Sequence, residues 1–304
     1  METVFLIGGS GFIGKNLVEH LVQSYRVTVV DKFIDDAFFA KHQEVETIKM
    51  DLVEERIPEQ YATPDYIINL ASIVTAERDF SLFDGLISSN LKVLLNLYER
   101  FKGDKNLKLF VQFGSSEEYG SEGSPFVETM REQPNSPYAL VKQLTVNTAL
   151  MLHANYGFPT MVVRPGNLFG KYQNKSKFVP YVMSQLIKNE DLDVTPCEQK
   201  RDFISASVFA EYIGRLLENN KRCLGQIVNV ASGKSIALKD IVEAAKKIVE
   251  SISVVHYGAK DYRPNEAMDL RCSVEKYEKI TNTSVNYDIF EGLQELFVHL
   301  KKEL

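Results

Sequence analysis

The stretch Val4-Phe5-Leu6-Ile7-Gly8-Gly9-Ser10-Gly11-Phe12-Ile13-Gly14-Lys15-Asn16-Leu17 decides the fold. A short apolar run breaks into glycines at 8, 9, 11 and 14. A helical pattern follows, with Leu17, Val18, Leu21 and Val22 apolar on one side. Strand, glycine-rich turn and helix in that order open a βαβ unit of the kind that binds a dinucleotide. Gly8 lets the chain turn tightly, and Gly11 lets backbone approach a pyrophosphate with no Cβ in the way. Gly14 lets the helix lie close to the sheet. Phe12 and Ile13 begin that helix, whose N-terminus offers partial positive charge and free N–H groups.

The next segment completes the unit. Arg26-Val27-Thr28-Val29-Val30-Asp31 reads as a second strand ending in a carboxylate, 23 residues after Gly8. An acid at about that spacing accepts ribose hydroxyls, which favours NAD and repels the 2′-phosphate of NADP. Lys32 next door could hold that phosphate, so NADP stays open.

Bulk properties narrow the classes. The chain has 304 residues, enough for one large α/β domain or one plus a smaller lobe. A net charge of −6 argues against a general nucleic-acid binder or a protein of anionic membrane surfaces. Cys197, Cys223 and Cys272 are scattered and odd in number, which suggests reduced thiols in a cytoplasmic protein. Met1-Glu2-Thr3 runs straight into the first strand, so no signal peptide is expected. No apolar run reaches the ~18 residues of a membrane span. The tail Lys301-Lys302-Glu303-Leu304 resembles an ER-retention signal only loosely, and without a signal peptide that reading fails. The five histidines (20, 42, 153, 256, 299) form no metal-spaced cluster, so no metal is expected.

Further strands are expected at Ile48–Leu52, Tyr66–Ser72 and Lys108–Phe113, with helices at Leu86–Phe101 and Ser136–Tyr156. Alternating strand and helix signals up to Val163 imply right-handed crossovers and a doubly wound parallel sheet. Tyr138-Ala-Leu-Val-Lys142 puts a phenol and an ammonium on one helix face, four residues apart. A free Tyr titrates at about 10, too high for efficient acid/base work at neutral pH. Lys142, together with a positive nicotinamide, would stabilise the phenolate.

The spacing Gly8-x-x-Gly11-x-x-Gly14 resembles the extended short-chain dehydrogenase/reductase family, the epimerase/dehydratase enzymes of nucleotide-linked sugars. That resemblance implies a Rossmann-type α/β sheet domain (residues 1–166 and about 201–231). It also implies a smaller α/β C-terminal lobe (167–200 and 232–304) for a nucleotide-diphosphate sugar, and a homodimer. It gives Asp51 and Leu52 the adenine contact. Leu70, Ala71 and Ser72 would lie beside the phosphate and ribose, with Asn69 in place of the usual His. Asn90 would reach the nicotinamide side, and Pro165 also belongs to the cofactor wall.

Ser115, Tyr138 and Lys142 take the catalytic positions, Ser115 bonding the reacting sugar oxygen. Ser116 is expected to cap the strand end and face the substrate. Glu117 falls where 4,6-dehydratases carry a glutamate that protonates the departing hydroxyl. Yet Gly114-Ser-Ser-Glu-Glu-Tyr-Gly120 also resembles GDP-4-keto-6-deoxymannose reductases. Asn167 and Arg201 match residues that hold the substrate diphosphate, Phe178 and Val179 flank the nucleotide base, and Arg263-Pro264-Asn265-Glu266 supplies a second diphosphate arginine and an acid for the ribose. Paired guanidinium forks suit a diphosphate. Ser205 stands where the family carries an acid before its helix, and is read as a helix cap.

The segment Ser176–Ile204 resembles CDP-abequose synthases. The reaction expected first is therefore reduction of a nucleotide-linked 4-keto-6-deoxysugar. NAD-dependent 4-epimerisation or 4,6-dehydration is the alternative, and a cofactor-sensing module without catalysis is the distant one.

Overall fold

The first strand is four-fifths buried because its sheet is covered on both faces, and the sequence shows this as an unbroken apolar run. The computed structural model describes residues 1–75, 77–121, 123–263 and 266–303. β1 (Thr3–Ile7) leads through the glycine turn into α1 (Phe12–Leu21). β2 (Arg26–Asp31), α2 (Asp36–Phe39), β3 (Glu46–Lys49) and β4 (Tyr66–Asn69) follow. Next come α3 (Phe83–Ile87), α4 (Val93–Phe101), β5 (Leu109–Phe113), α5 (Pro137–Tyr156) and β6 (Thr160–Pro165).

β7 (Asn167–Phe169), α6 (Phe178–Ile187), β8 (Leu192–Val194), β9 (Lys200–Arg201) and β10 (Phe203–Ser205) form the first excursion from the large sheet. α7 (Ala206–Glu218), α8 (Asn220–Cys223) and β11 (Ile227–Val230) return to it. The chain ends with β12 (Ile236–Ala237), α9 (Leu238–Val249), β13 (Val255–Tyr257), β14 (Asp269–Leu270), α10 (Glu275–Thr281) and α11 (Ile289–Lys302).

Seven strands form one parallel sheet in the order β11-β6-β5-β4-β1-β2-β3. Strand order reverses between β1 and β4, where an open α/β sheet leaves a crevice at the strands' C-terminal ends. Side chains alternate as the two-residue period requires. Val4, Leu6, Val27, Val29 and Ile68 pack with α1 and α7 on one face; Phe5, Ile7, Val30, Ile67 and Phe110 pack with α4 and α5 on the other. The first core runs on without a break into α6, α9 and α11. β9 and β10 stand in small sheets with β12 and β14, and with β7. β9, which holds Arg201, pairs with β12 and β14, while α7 packs on α1.

Four expectations shift, one of them the fourth strand, which ends at Asn69 rather than Ser72. The third strand forms at Glu46–Lys49, because pairing ends where β2 ends at Asp31, and this leaves Asp51 and Leu52 in the turn beyond. The helix expected at Leu86–Phe101 starts earlier and is split by a π-helical turn at Ser88–Lys92. Gly14 is required by its own turn rather than by a strand: a Cβ there would lie 2.5 Å from the Gly9 backbone. Gly8 keeps the role expected of it, with φ at +78°. Phe38 and Phe39 are buried, Phe38 meeting Tyr172 edge to face, so they are packing residues.

Candidate active site

The crevice at the ends of β1, β2 and β4 is a cleft of about 580 Å³. Every residue expected at the dinucleotide lines it, from Gly8 and Gly11 through Asp31, Lys32, Asp51, Leu52 and the Leu70-Ala71-Ser72 strand end to Pro165, except Asn90. Asn90 is fully buried in the π-helical turn and donates to the Leu86 carbonyl at 2.8 Å. Ser89 of the same turn lines the cleft instead.

The wall suits NAD. α1 starts at Gly11 with no side chain capping it, so its first N–H groups are left for an anion. Ser10 Oγ, beside this N-terminus, is buried without a partner among the described residues. Asp31 accepts the N–H groups of Ser10 (3.0 Å) and Phe33 (3.1 Å), which fixes its carboxylate at the end of β2. At the end of β4, Asn69 bonds Gln112 (2.9 Å) and accepts the Ala71 N–H (3.2 Å), holding the segment Leu70-Ala71-Ser72 that follows the strand.

The candidate catalytic residues gather where β5 and α5 meet. Ser136 caps α5 by accepting the Ala139 N–H at 3.1 Å, and Pro137 fits the first turn. Tyr138 and Lys142 follow one helical turn apart, both buried and both on the cleft. The Lys142 ammonium donates to the Phe113 carbonyl at 3.1 Å and lies 5.8 Å from the Tyr138 ring centroid. Burial pushes the Tyr138 phenol up and Glu117 adds to the rise, while the Ser115 hydroxyl opposes it. Burial drives Lys142 down to about 8, against the pull of Glu118.

Ser115, not Ser116, does the capping. Its hydroxyl accepts the Glu117 N–H (3.2 Å), and its own N–H donates to Glu118 (2.7 Å). Burial raises Glu117, with Arg78, Lys177 and Arg263 pulling the other way. Glu117 faces both this cleft and a second cavity of about 310 Å³. Ser116, Gly166 and Asn167 also line both, so the two cavities are neighbours.

Arg201, Arg263 and Glu266 line the second cavity as expected for an anionic ligand. Arg201 is ion-paired with Glu266 and donates to the Ala267 carbonyl (2.8 Å), so these two face each other rather than separate parts of a ligand. Pro264 and Asn265 lie outside the described residues. Phe178 and Val179 line neither cavity. Val179, Val182, Met183 and Leu186 form the inward stripe of α6, Phe178 packs against the same core, and Lys177 before the helix turns to the cleft instead. Sequence reasoning missed Arg78 and Arg271 in the second cavity, and Glu118 beneath the first. Glu118 was findable, since Ser115-Ser-Glu-Glu118 is the S-x-x-E pattern of a capping box.

Comparison with known proteins agrees with this geometry. The chain is 28% identical over 251 residues to a dTDP-glucose 4,6-dehydratase of Haemophilus influenzae, covering 72% of this chain and 73% of that one. It is 30% identical over 134 residues to a CDP-abequose synthase of Salmonella muenchen, covering 44% of this chain and 45% of that one. The solved UDP-glucuronic acid 4-epimerase of Bacillus cereus superposes with a TM-score of 0.90 at 20% identity, over 99% of this chain and 100% of that one, and so shares the fold. The pattern of the NAD dependent epimerase/dehydratase family matches residues 4–231, three-quarters of the sequence. The chain belongs to that family and is an NAD-dependent enzyme.

Proposed function

We propose that the enzyme reduces a 4-keto-6-deoxysugar linked to a nucleotide diphosphate. The observation that carries the reading is the Ser115, Tyr138 and Lys142 group on a cofactor-sized cleft that adjoins an arginine-lined cavity. NAD(H), when bound, supplies the hydride chemistry. Ser115 hydrogen-bonds the sugar oxygen, and Tyr138 gives that oxygen its phenolic proton. Lys142 opposes the phenolate charge left behind. A diphosphate is held by Asn167, Arg201 and Arg263, and it competes with Glu266 for Arg201. The reductase form of the reaction is supported by the Gly114–Gly120 segment and by the CDP-abequose synthase among the relatives.

Two observations favour 4-epimerisation or 4,6-dehydration as the second reading. Asp31 suits an enzyme that keeps NAD, and Glu117 is a carboxyl shifted toward its protonated form at the sugar end of the cleft. The test is to identify the co-purified cofactor, then offer UDP-, GDP-, dTDP- and CDP-linked 4-keto-6-deoxysugars with NADH or NADPH. Loss of absorbance at 340 nm with one of the four is the expected result. No oxidation with any of them sinks the reductase reading, and an epimer formed without net oxidation promotes the second.

The division into a sheet domain and a substrate lobe near residues 166 and 231 is part of the same proposal, as is a reducing compartment for the three free, buried cysteines. Among the described residues no helix is long and apolar enough to cross a membrane. The homodimer would form through α4 and α5, where Leu95, Leu140, Leu144 and Met151 make a stripe each about 40% exposed. Leu144→Asp is expected to turn the dimer into a monomer by light scattering. A wild-type chain that is already monomeric at micromolar concentration overturns this.

A further inference from the structure

Asp202 is the single residue between β9, which pairs with β12 and β14, and β10, which pairs with β7. It is 2% exposed and belongs to the wall of the second cavity. One of its carboxyl oxygens meets the Ser232 N–H at 2.9 Å and the Ser232 hydroxyl at 2.5 Å. The other accepts the N–H groups of Gly233 (3.2 Å) and Cys272 (3.1 Å). Its backbone is engaged as fully. The carbonyl accepts the Asn167 N–H at 2.9 Å, and the N–H donates to the Leu270 carbonyl at 3.0 Å.

These bonds gather three distant segments onto one residue. Asn167 follows β6, Ser232 and Gly233 follow β11, and Leu270 and Cys272 stand on either side of Arg271. Asn167 and Arg271 line the second cavity, and Arg201, next to Asp202 in the chain, lines it as well. The far end of Arg201 is held separately, by Glu266 and the Ala267 carbonyl.

A buried acid is costly unless its oxygens are bonded, and here each oxygen meets a backbone N–H. Burial raises the Asp202 carboxyl, while the Ser232, Cys272 and Gly233 donors lower it. An Asn of the same size has one acceptor oxygen and would turn its NH2 toward N–H groups on the other side. Only an acid therefore ties the segments on both sides. A ligand held by several groups binds more tightly when those groups keep their spacing before it arrives.

We propose that Asp202 is a positioning residue for the second cavity: it fixes Asn167, Arg201 and Arg271 relative to one another and so sets the affinity for a nucleotide diphosphate. The inference rests on the nucleotide-sugar reading given above.

The test is calorimetric titration with UDP, GDP, dTDP and CDP, with NAD as the control on the neighbouring cleft. Asp202→Asn is expected to weaken the nucleoside diphosphate that wild type binds by about tenfold or more, with NAD affinity unchanged. In turnover KM for the sugar nucleotide rises by the same factor, and kcat holds within about twofold. Ser232 lines neither of the two cavities, so Ser232→Ala acts only through the carboxyl. It is expected to weaken the same diphosphate by about threefold, and it carries the test if Asp202→Asn fails to fold. Ser253→Ala removes an equally buried hydroxyl outside both cavities and is expected to leave the affinity in place. Unchanged diphosphate affinity in Asp202→Asn, an equal loss of NAD affinity, or equal losses in Ser232→Ala and Ser253→Ala overturns the proposal. Failure of the nucleotide-sugar reading shows differently, as a wild-type enzyme that binds none of the four, and takes this inference with it.

Discussion

Tyr138→Phe is expected to lower kcat by about 10²–10⁴-fold, the usual worth of a positioned proton donor. The ring packs against Leu86 and Val141, and Phe keeps those contacts, so the fold and the cleft survive. Only the phenolic hydroxyl is lost, next to Ser115 and one helical turn from Lys142. NAD affinity, read by calorimetry, should therefore stay at the wild-type value while turnover falls. If the variant keeps full turnover, the proton comes from another group. Glu117 is then the candidate, as the carboxyl that lines both cavities.

Arg164→Met is expected to give the largest loss of stability, about 3–5 kcal/mol, because it leaves Glu118 buried without its ion partner. In a chain of this size that is a fall in Tm of roughly 10 °C. The sign of the pH dependence follows from the same loss. Without the guanidinium the Glu118 carboxyl rises further above its unfolded value. A group raised in this way contributes stability at low pH that disappears as pH climbs through its folded pKa. The gap between variant and wild type should be small at pH 5 and widen toward pH 8. Calorimetric scans at both pH values check this, and an equal gap at both would show that lost packing on Tyr119, not charge, carries the effect. Adding Glu118→Gln to Arg164→Met should recover part of the loss, as a double-mutant cycle on a coupled pair requires.

Much of the site was legible because its rules are local. The turn from Gly8 to Gly14 follows from the contacts of a few neighbouring residues, and so does the strand ending in Asp31. Ser136 and Pro137 start α5, and Gly157 ends it with its N–H on the His153 carbonyl. Those caps fix the phase of the helix, so Tyr138 and Lys142 share a face before any tertiary contact forms. The misplacements were also local in kind but decided from outside. Phe178 and Val179 are apolar and sit in a motif, yet packing around α6 turns Val179 inward and leaves Lys177 on the cleft. Asn90 keeps its helical position, but Ser89 of the same π-helical turn lines the cleft.

What the sequence determined by itself was the doubly wound sheet and the phenol and ammonium on one helix face, since two-residue and 3.6-residue periods and capping act over a few residues. Only the tertiary structure decided which charges are buried together. Glu118 and Arg164 are 46 positions apart, and Arg201 and Glu266 are 65 apart. An ion pair of that kind depends on which strand ends become neighbours and how much water leaves between them. No spacing along the chain encodes that.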